Sequence, residues 1–293
     1  MAHVSPNAAV QIRTADPRPA LTCGRIACDF SSGGRSGAIV FIHGNSSDRR
    51  VFQAQAAALQ TAGWSVLTLD LPGHGESDDA IDPWATYSFP GYAAAVAELI
   101  DKFGLSDVHL VGWSLGGHVA LELAATDPRV RSVLVTGTPP VRPSHEALRE
   151  AFADTADMGL ASKERFTRAD AAAYAGAMLD CPGEAPETMI DAAERADGRA
   201  RRMMVESAVS GVGTDEAAFV ATAEIPVAIL QGRRDPFLRA EYFDRLPADR
   251  LWRGGVQWFD DLGHAPHWRA PDRFNALLLA FLAEQGEAPG HGA

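Results

Sequence analysis

The chain has 293 residues, of which 46% are hydrophobic and 22% charged, a mix typical of folded globular proteins that excludes a disordered chain, a collagen-like repeat and a coiled coil. Lys and Arg number 26 against 38 Asp and Glu, a formal net charge of −12 that repels phosphate backbones and anionic lipid and argues against nucleic acid and membrane partners. Cys23, Cys28 and Cys181 are too few for a disulfide framework and lack a CxxC spacing, so they read as reduced thiols of a cytoplasmic protein. The N-terminal stretch has no basic segment followed by an unbroken apolar one, hence no secretory signal is expected, and no apolar run approaches the length of a membrane span.

In chain order, short apolar runs rich in β-branched residues alternate with segments of helical spacing. Ala38 to Ile42 is the first strand; a helix over Val51 to Thr61, a strand over Trp64 to Leu69, a helix over Tyr92 to Phe103 and a strand over Val108 to Val111 follow. Leu115 to Ala125 is helical, and Val133 to Val135 is again a strand. Near-continuous hydrophobicity over four to six residues marks strands covered on both faces, so an α/β architecture with a mostly parallel sheet flanked by helices is predicted. The alternation breaks after Thr138-Pro139-Pro140, and up to Ala223 only helical spacing is visible. Strands resume at Val227 to Leu230 and around Gly255 to Phe259, before a last helix from Pro271 to Glu284 with Pro at its start. The tail from Glu287, rich in Pro, Gly and His, reads as frayed. Although the length suggests two domains at about 150 residues each, this pattern predicts one core formed by 1–139 and 224–293, interrupted by a helical cap at 140–223.

The sharpest motif is Gly112-Trp113-Ser114-Leu115-Gly116, directly after one strand and directly before a helix. A serine on such a turn projects its hydroxyl from the sheet, while small residues two places away on each side relieve crowding, which makes Ser114 the candidate nucleophile. Its hydroxyl needs a base, and the base an acid that holds its tautomer. Nine histidines compete. His264 follows the last strand and precedes the last helix; His267 is its near rival, whereas His43, His74, His109 and His118 sit in turns, a strand and a helix face. Asp235, in the loop that leaves the strand at Leu230, completes the order nucleophile, acid, base; its alternative role is to cap that loop. The oxyanion donors are expected from the backbone N–H of Leu115 and from Asn45, which follows Gly44 after the first strand and whose alternative role is an Asx turn. His74 and Glu76 have no companion cluster with metal-ligand spacing, and no glycine-rich nucleotide motif is present, so neither metal nor cofactor is expected.

The motifs His43-Gly44-Asn45, Leu71-Pro72-Gly73-His74-Gly75, Gly112-Trp113-Ser114-Leu115-Gly116-Gly117, Gln231-Gly232-Arg233-Arg234-Asp235 and Gly263-His264-Ala265-Pro266 resemble, in their order, the α/β-hydrolase superfamily. More narrowly, Thr136-Gly137-Thr138-Pro139-Pro140 and Asp197-Gly198-Arg199-Ala200-Arg201-Arg202 resemble the metal-independent N-acyl-homoserine lactone lactonases of that fold. The resemblance implies a serine hydrolase that opens the lactone ring of quorum-sensing signals. Its nucleophile would be Ser114, its base His264 and its acid Asp235, where that family carries a Glu next to Pro. Asn45 would bind the lactone or oxyanion, and Tyr174 matches a family tyrosine that hydrogen-bonds the substrate. The residues alone leave a general carboxylesterase and a non-catalytic ligand receptor open. Phe152, Met158, Leu160, Phe166, Tyr174 and Met178 are candidates for an apolar tunnel in which an acyl chain lies.

Overall fold

The computed structural model describes residues 17–286; the N-terminal stretch read for a secretory signal and the tail from Glu287 lie outside the described residues. A small antiparallel ribbon, β1 (Ala20–Leu21) with β2 (Gly24–Arg25), precedes the main sheet. That sheet has seven strands: β3 (Cys28–Ser31), β4 (Ala38–Ile42), β5 (Ser65–Leu69), β6 (Val108–Trp113), β7 (Val130–Thr136), β8 (Val227–Gly232) and β9 (Gln257–Phe259). Their spatial order is β3-β5-β4-β6-β7-β8-β9, with every neighbouring pair parallel except β3 and β5. Every residue of β4, β6 and β8 is buried, which is why their sequences read as unbroken apolar runs. β3 escaped the sequence reading because an edge strand needs no such run: Cys28-Asp29-Phe30-Ser31 mixes polar with apolar side chains.

The helices of the first half are α1 (Gln53–Thr61), α2 (Pro83–Thr86), α3 (Phe89–Lys102) and α4 (Leu115–Thr126). The segment expected to be helical from Val51 instead begins with a 3₁₀ turn, Arg49–Phe52, capped by the Asp48 carboxylate. α3 starts three residues before the expected Tyr92, because Ser88 Oγ accepts a hydrogen bond from Gly91 N at 3.1 Å and Pro90 fits the first turn. Six helices separate β7 from β8: α5 (His145–Ala151), α6 (Ala156–Leu160), α7 (Arg168–Met178), α8 (Glu187–Arg195), α9 (Gly198–Val209) and α10 (Glu216–Thr222). The chain then returns to the sheet and ends in α11 (Pro266–Arg269) and α12 (Pro271–Gly286). Among the described residues no helix is long and apolar enough to cross a membrane.

α4 is the helix on which the architecture turns. Residues Leu115 through Leu123 are all buried, so over this span the helix presents no face to solvent. It approaches the sheet closely enough that a Cβ on Gly116 would lie 2.0 Å from the carbonyl oxygen of Ile42, and one on Gly112 would lie 2.3 Å from that of Gly116. The two outer glycines of the Ser114 motif are therefore demanded by backbone atoms, which cannot move aside as a flexible side chain does. We expect Gly116→Ala to destabilise the protein by about 3 kcal/mol in chemical denaturation, the upper end of typical overpacking costs. Gly159→Ala, on α6 with open space around its Cα, should be neutral or stabilising by a few tenths of a kcal/mol.

Candidate active site

The carboxyl ends of β4, β6, β7, β8 and β9 meet at one edge of the sheet, and the segments that leave them carry the candidate residues. Ser114 joins β6 to α4 with φ 53° and ψ −120°, a left-handed conformation rare outside glycine. Two hydrogen bonds clamp it there: Ser114 N donates to Thr136 O at 2.9 Å, and Thr138 Oγ1 donates to Ser114 O at 3.0 Å.

His264, in the loop between β9 and α11, directs Nδ1 at Asp235 Oδ2 over 2.7 Å, with both side chains buried. The shorter Asp thus reaches the imidazole. Asp235 Oδ1 accepts from Phe237 N at 2.9 Å, so the loop-capping role and the pairing with histidine belong to two oxygens of one carboxylate. Gln231, at the end of β8, donates from Nε2 to Asp235 Oδ2 at 2.8 Å while its Oε1 accepts from Gly137 N at 2.9 Å. Trp113 Nε1 donates to His264 O at 2.9 Å, and Gly263 N donates to Asp180 Oδ2 at 2.8 Å, so the histidine loop is pinned on both sides. With Nδ1 turned to the carboxylate, Nε2 is the nitrogen left for chemistry; it is buried and makes no hydrogen bond among the described residues. His267 is fully buried beside the Trp113 ring, 5.0 Å between centroids, and meets no carboxylate among the described residues.

Ser114, Leu115, Asn45, Tyr174 and His264 all line one cavity of about 500 Å³. Leu115 is the first residue of α4, where backbone N–H groups are free of helical partners. Asn45 reaches upward instead of closing its own turn: Nδ2 donates to Ala161 O at 3.0 Å and to Tyr174 Oη at 3.3 Å, and Oδ1 accepts from Ser46 Oγ at 3.1 Å. Tyr174 is buried between Phe166 and Phe237, and burial keeps its phenol protonated well above the ordinary range. Having accepted from Asn45, its hydroxyl retains a hydrogen to donate. Phe152, Met158 and Met178 also line the cavity; Leu160 and Phe166 pack against the core instead.

Sequence reasoning missed several residues that hold this arrangement. Arg201, on α9, is 2% exposed and meets no carboxylate among the described residues. Its guanidinium donates to the carbonyls of Lys163, Glu164, Ala193 and Ala196 and, at 3.1 Å, to Ser46 Oγ, and it lies 3.8 Å over the Phe166 ring. A single cation on α9 therefore ties the loop between α6 and α7 and the end of α8 to the residue beside Asn45. An arginine inside the Asp197 to Arg202 segment was visible in the sequence, but nothing there tells a buried arginine from a solvated one. Gln231 carried a better signal, as a polar residue closing an otherwise apolar strand. His43 and His74 are structural: His43 Nε2 accepts from Leu71 N at 2.9 Å, and His74 Nδ1 lies 3.0 Å from Pro72 O. Among the described residues no group of three or more His, Cys, Asp or Glu is placed to hold a metal ion.

Comparison with known proteins adds to this geometry. A family model described as the alpha/beta hydrolase family matches residues 39–277. A solved structure of the N-acyl homoserine lactonase AidH complexed with N-butanoyl homoserine superposes with a TM-score of 0.87 and 38% identity, covering 94% of this chain and 98% of that one. A 2-hydroxy-6-oxononadienedioate/2-hydroxy-6-oxononatrienedioate hydrolase of Pseudomonas sp is 29% identical over 272 residues, 84% of this chain and 87% of the relative. A 2-succinyl-6-hydroxy-2,4-cyclohexadiene-1-carboxylate synthase of Klebsiella pneumoniae (strain 342) is 30% identical over 255 residues, 84% of this chain and 93% of the relative.

The buried histidines set an acid limit on the fold. Burial first, and then a neighbouring histidine, lowers His74 and His267 from 6.5 to about 3. Below pH 6.5 the unfolded chain takes up protons that these folded rings refuse, so stability present at neutral pH drains away as pH falls toward 3. The thermal midpoint should drop between pH 7 and pH 4, and His267→Phe, which keeps an aromatic ring beside Trp113, should flatten that drop.

Proposed function

This chain belongs to the alpha/beta hydrolase family, and we propose that it is a serine hydrolase that opens the ring of N-acyl-homoserine lactones. The observation that carries this reading is the meeting of Ser114 and the Asp235-backed His264 in one cavity whose remaining wall is largely apolar. The likeness to a lactonase over nearly the full chain supports it. Ser114 Oγ attacks the lactone carbonyl while His264 Nε2 takes its proton; the imidazolium so formed is stabilised by Asp235. The backbone N–H of Leu115 and the Asn45 region hold the oxyanion, and Tyr174 donates to the substrate. Collapse of the tetrahedral intermediate breaks the ring carbon–oxygen bond, and His264 Nε2–H protonates the departing alkoxide. Water, deprotonated by His264, then releases the acid from Ser114. We read the helices of 140–223 as a cap under which the acyl chain lies among Phe152, Met158 and Met178.

Ser114→Ala should lower kcat for ring opening by on the order of 10⁴-fold or more, and Asp235→Asn by roughly 10³- to 10⁴-fold, without loss of the folded state. Liquid chromatography of the ring-opened acid after incubation with short- and long-chain lactones measures this. Turnover of p-nitrophenyl esters with no lactone opening would replace this reading with a general carboxylesterase. Mass spectrometry of quenched wild-type reactions should find the acyl group on Ser114.

A further inference from the structure

The cavity wall holds a second buried histidine–carboxylate pair that the mechanism above leaves unused. His118 lies one turn beyond Ser114, its N–H donating to Ser114 O at 3.3 Å. Residues four apart share a helix face and are separated by roughly 6 Å along the axis. His118 lines the same cavity as Ser114. Its Nδ1 is 2.9 Å from both carboxylate oxygens of Glu216, which is 1% exposed. Glu216 Oε2 also accepts from Val141 N at 3.0 Å. That backbone donor favours the carboxylate form, while burial pushes the carboxyl above its ordinary range. With Nδ1 equidistant from both carboxylate oxygens, the geometry is that of a ring hydrogen on Nδ1 shared between them, and a neutral ring so held presents Nε2 as an acceptor.

The ring cannot turn away from this task. It stacks on Phe89 with 4.7 Å between centroids and 6° between planes, and Phe152 lies 6.1 Å away. Its two ring neighbours are apolar, and most of the cavity lining is apolar as well, with His145, Arg149, Asp154 and Arg239 among the polar exceptions. A saturated acyl chain gives Nε2 no partner, and a carbonyl on the chain sets acceptor against acceptor. Only a hydroxyl brings the hydrogen that is missing.

We propose that His118 is a specificity-determining residue whose Nε2 accepts a hydrogen bond from a hydroxyl group on the acyl chain of the substrate. This rests on the lactonase reading above. One hydrogen bond of about 1 kcal/mol corresponds to roughly fivefold in kcat/KM.

The test compares kcat/KM for three acyl-homoserine lactones of equal chain length, unsubstituted, hydroxyl-bearing and carbonyl-bearing, with wild type, His118→Phe and Glu216→Gln. Wild type should favour the hydroxylated chain by about five- to tenfold over both others. His118→Phe should bring the three within about twofold of one another. In Glu216→Gln the amide NH₂ faces Nδ1 and moves the ring hydrogen to Nε2, so the carbonyl-bearing chain should gain on the hydroxylated one. A wild type that treats the three chains alike overturns the proposal, as does a hydroxyl preference that survives in His118→Phe. Equal treatment of the three chains by wild type overturns the proposal even if neither variant folds. Opening of none of the three lactones sinks the lactonase reading and this inference together, whereas equal opening of all three sinks the inference alone.

Discussion

One backbone conformation governs the arrangement: Ser114 at φ 53° and ψ −120°, a non-glycine residue held where side chains clash with their own backbone. Such a residue costs on the order of 1–3 kcal/mol and persists only if its surroundings over-determine it. Here they do, because β6 enters the turn and α4 leaves it, while Thr136 O and Thr138 Oγ1 fasten the serine from the neighbouring strand's end. A Cβ on Gly117 would lie 2.0 Å from Thr138 Oγ1, so the glycine and the clamp depend on each other. The Thr136-Gly137-Thr138 segment is thus a brace for the serine and not merely a linker to the helices that follow.

The same brace extends to Asp235. Gly137 N donates to Gln231, Gln231 donates to Asp235, Asp235 faces His264, and Trp113, the neighbour of Ser114, donates to the His264 carbonyl. The loop of hydrogen bonds closes on itself through the ends of β6, β7 and β8. Every member is buried or nearly so, where a hydrogen bond is strong and an unpaired group is costly. Rigidity of this kind keeps the imidazole aimed without any demand on solvent.

The helices between β7 and β8 share in the site more than their position suggests. Arg201 gathers four carbonyls from these helices and the loops that join them and reaches Ser46; Asn45 reaches Ala161 and Tyr174; Asp180 holds Gly263 beside His264. Tyr87 Oη donates to Asp197 at 2.7 Å, which joins the start of α9 to the core. A Cβ on Gly198 would fall 1.6 Å from Glu164 O, so the first residue of α9 is glycine for lack of room. These contacts make the apolar pocket and the polar machinery one object.

What the sequence determined by itself was whatever depends on local spacing and on burial along one strand. Unbroken apolar runs revealed β4, β6 and β8, and the strand–Gly-x-Ser-x-Gly–helix order singled out Ser114, since those glycines answer to backbone crowding within a few residues. The positions of Asp235 and His264 after consecutive strands were readable for the same reason, because a parallel sheet delivers successive loops to one edge. The edge strand β3, four residues long with a polar residue at every second position, was not. Only the tertiary structure decided which histidine faces a carboxylate, that Asn45 turns to the helices above and not to its own loop, that Arg201 is buried, and that His118 belongs to the cavity. Each of those outcomes joins residues from about thirty to more than a hundred and fifty positions apart, His264 with Asp235 and Arg201 with Ser46 among them. Such pairings are fixed by how the helices pack over the sheet, which no local pattern encodes.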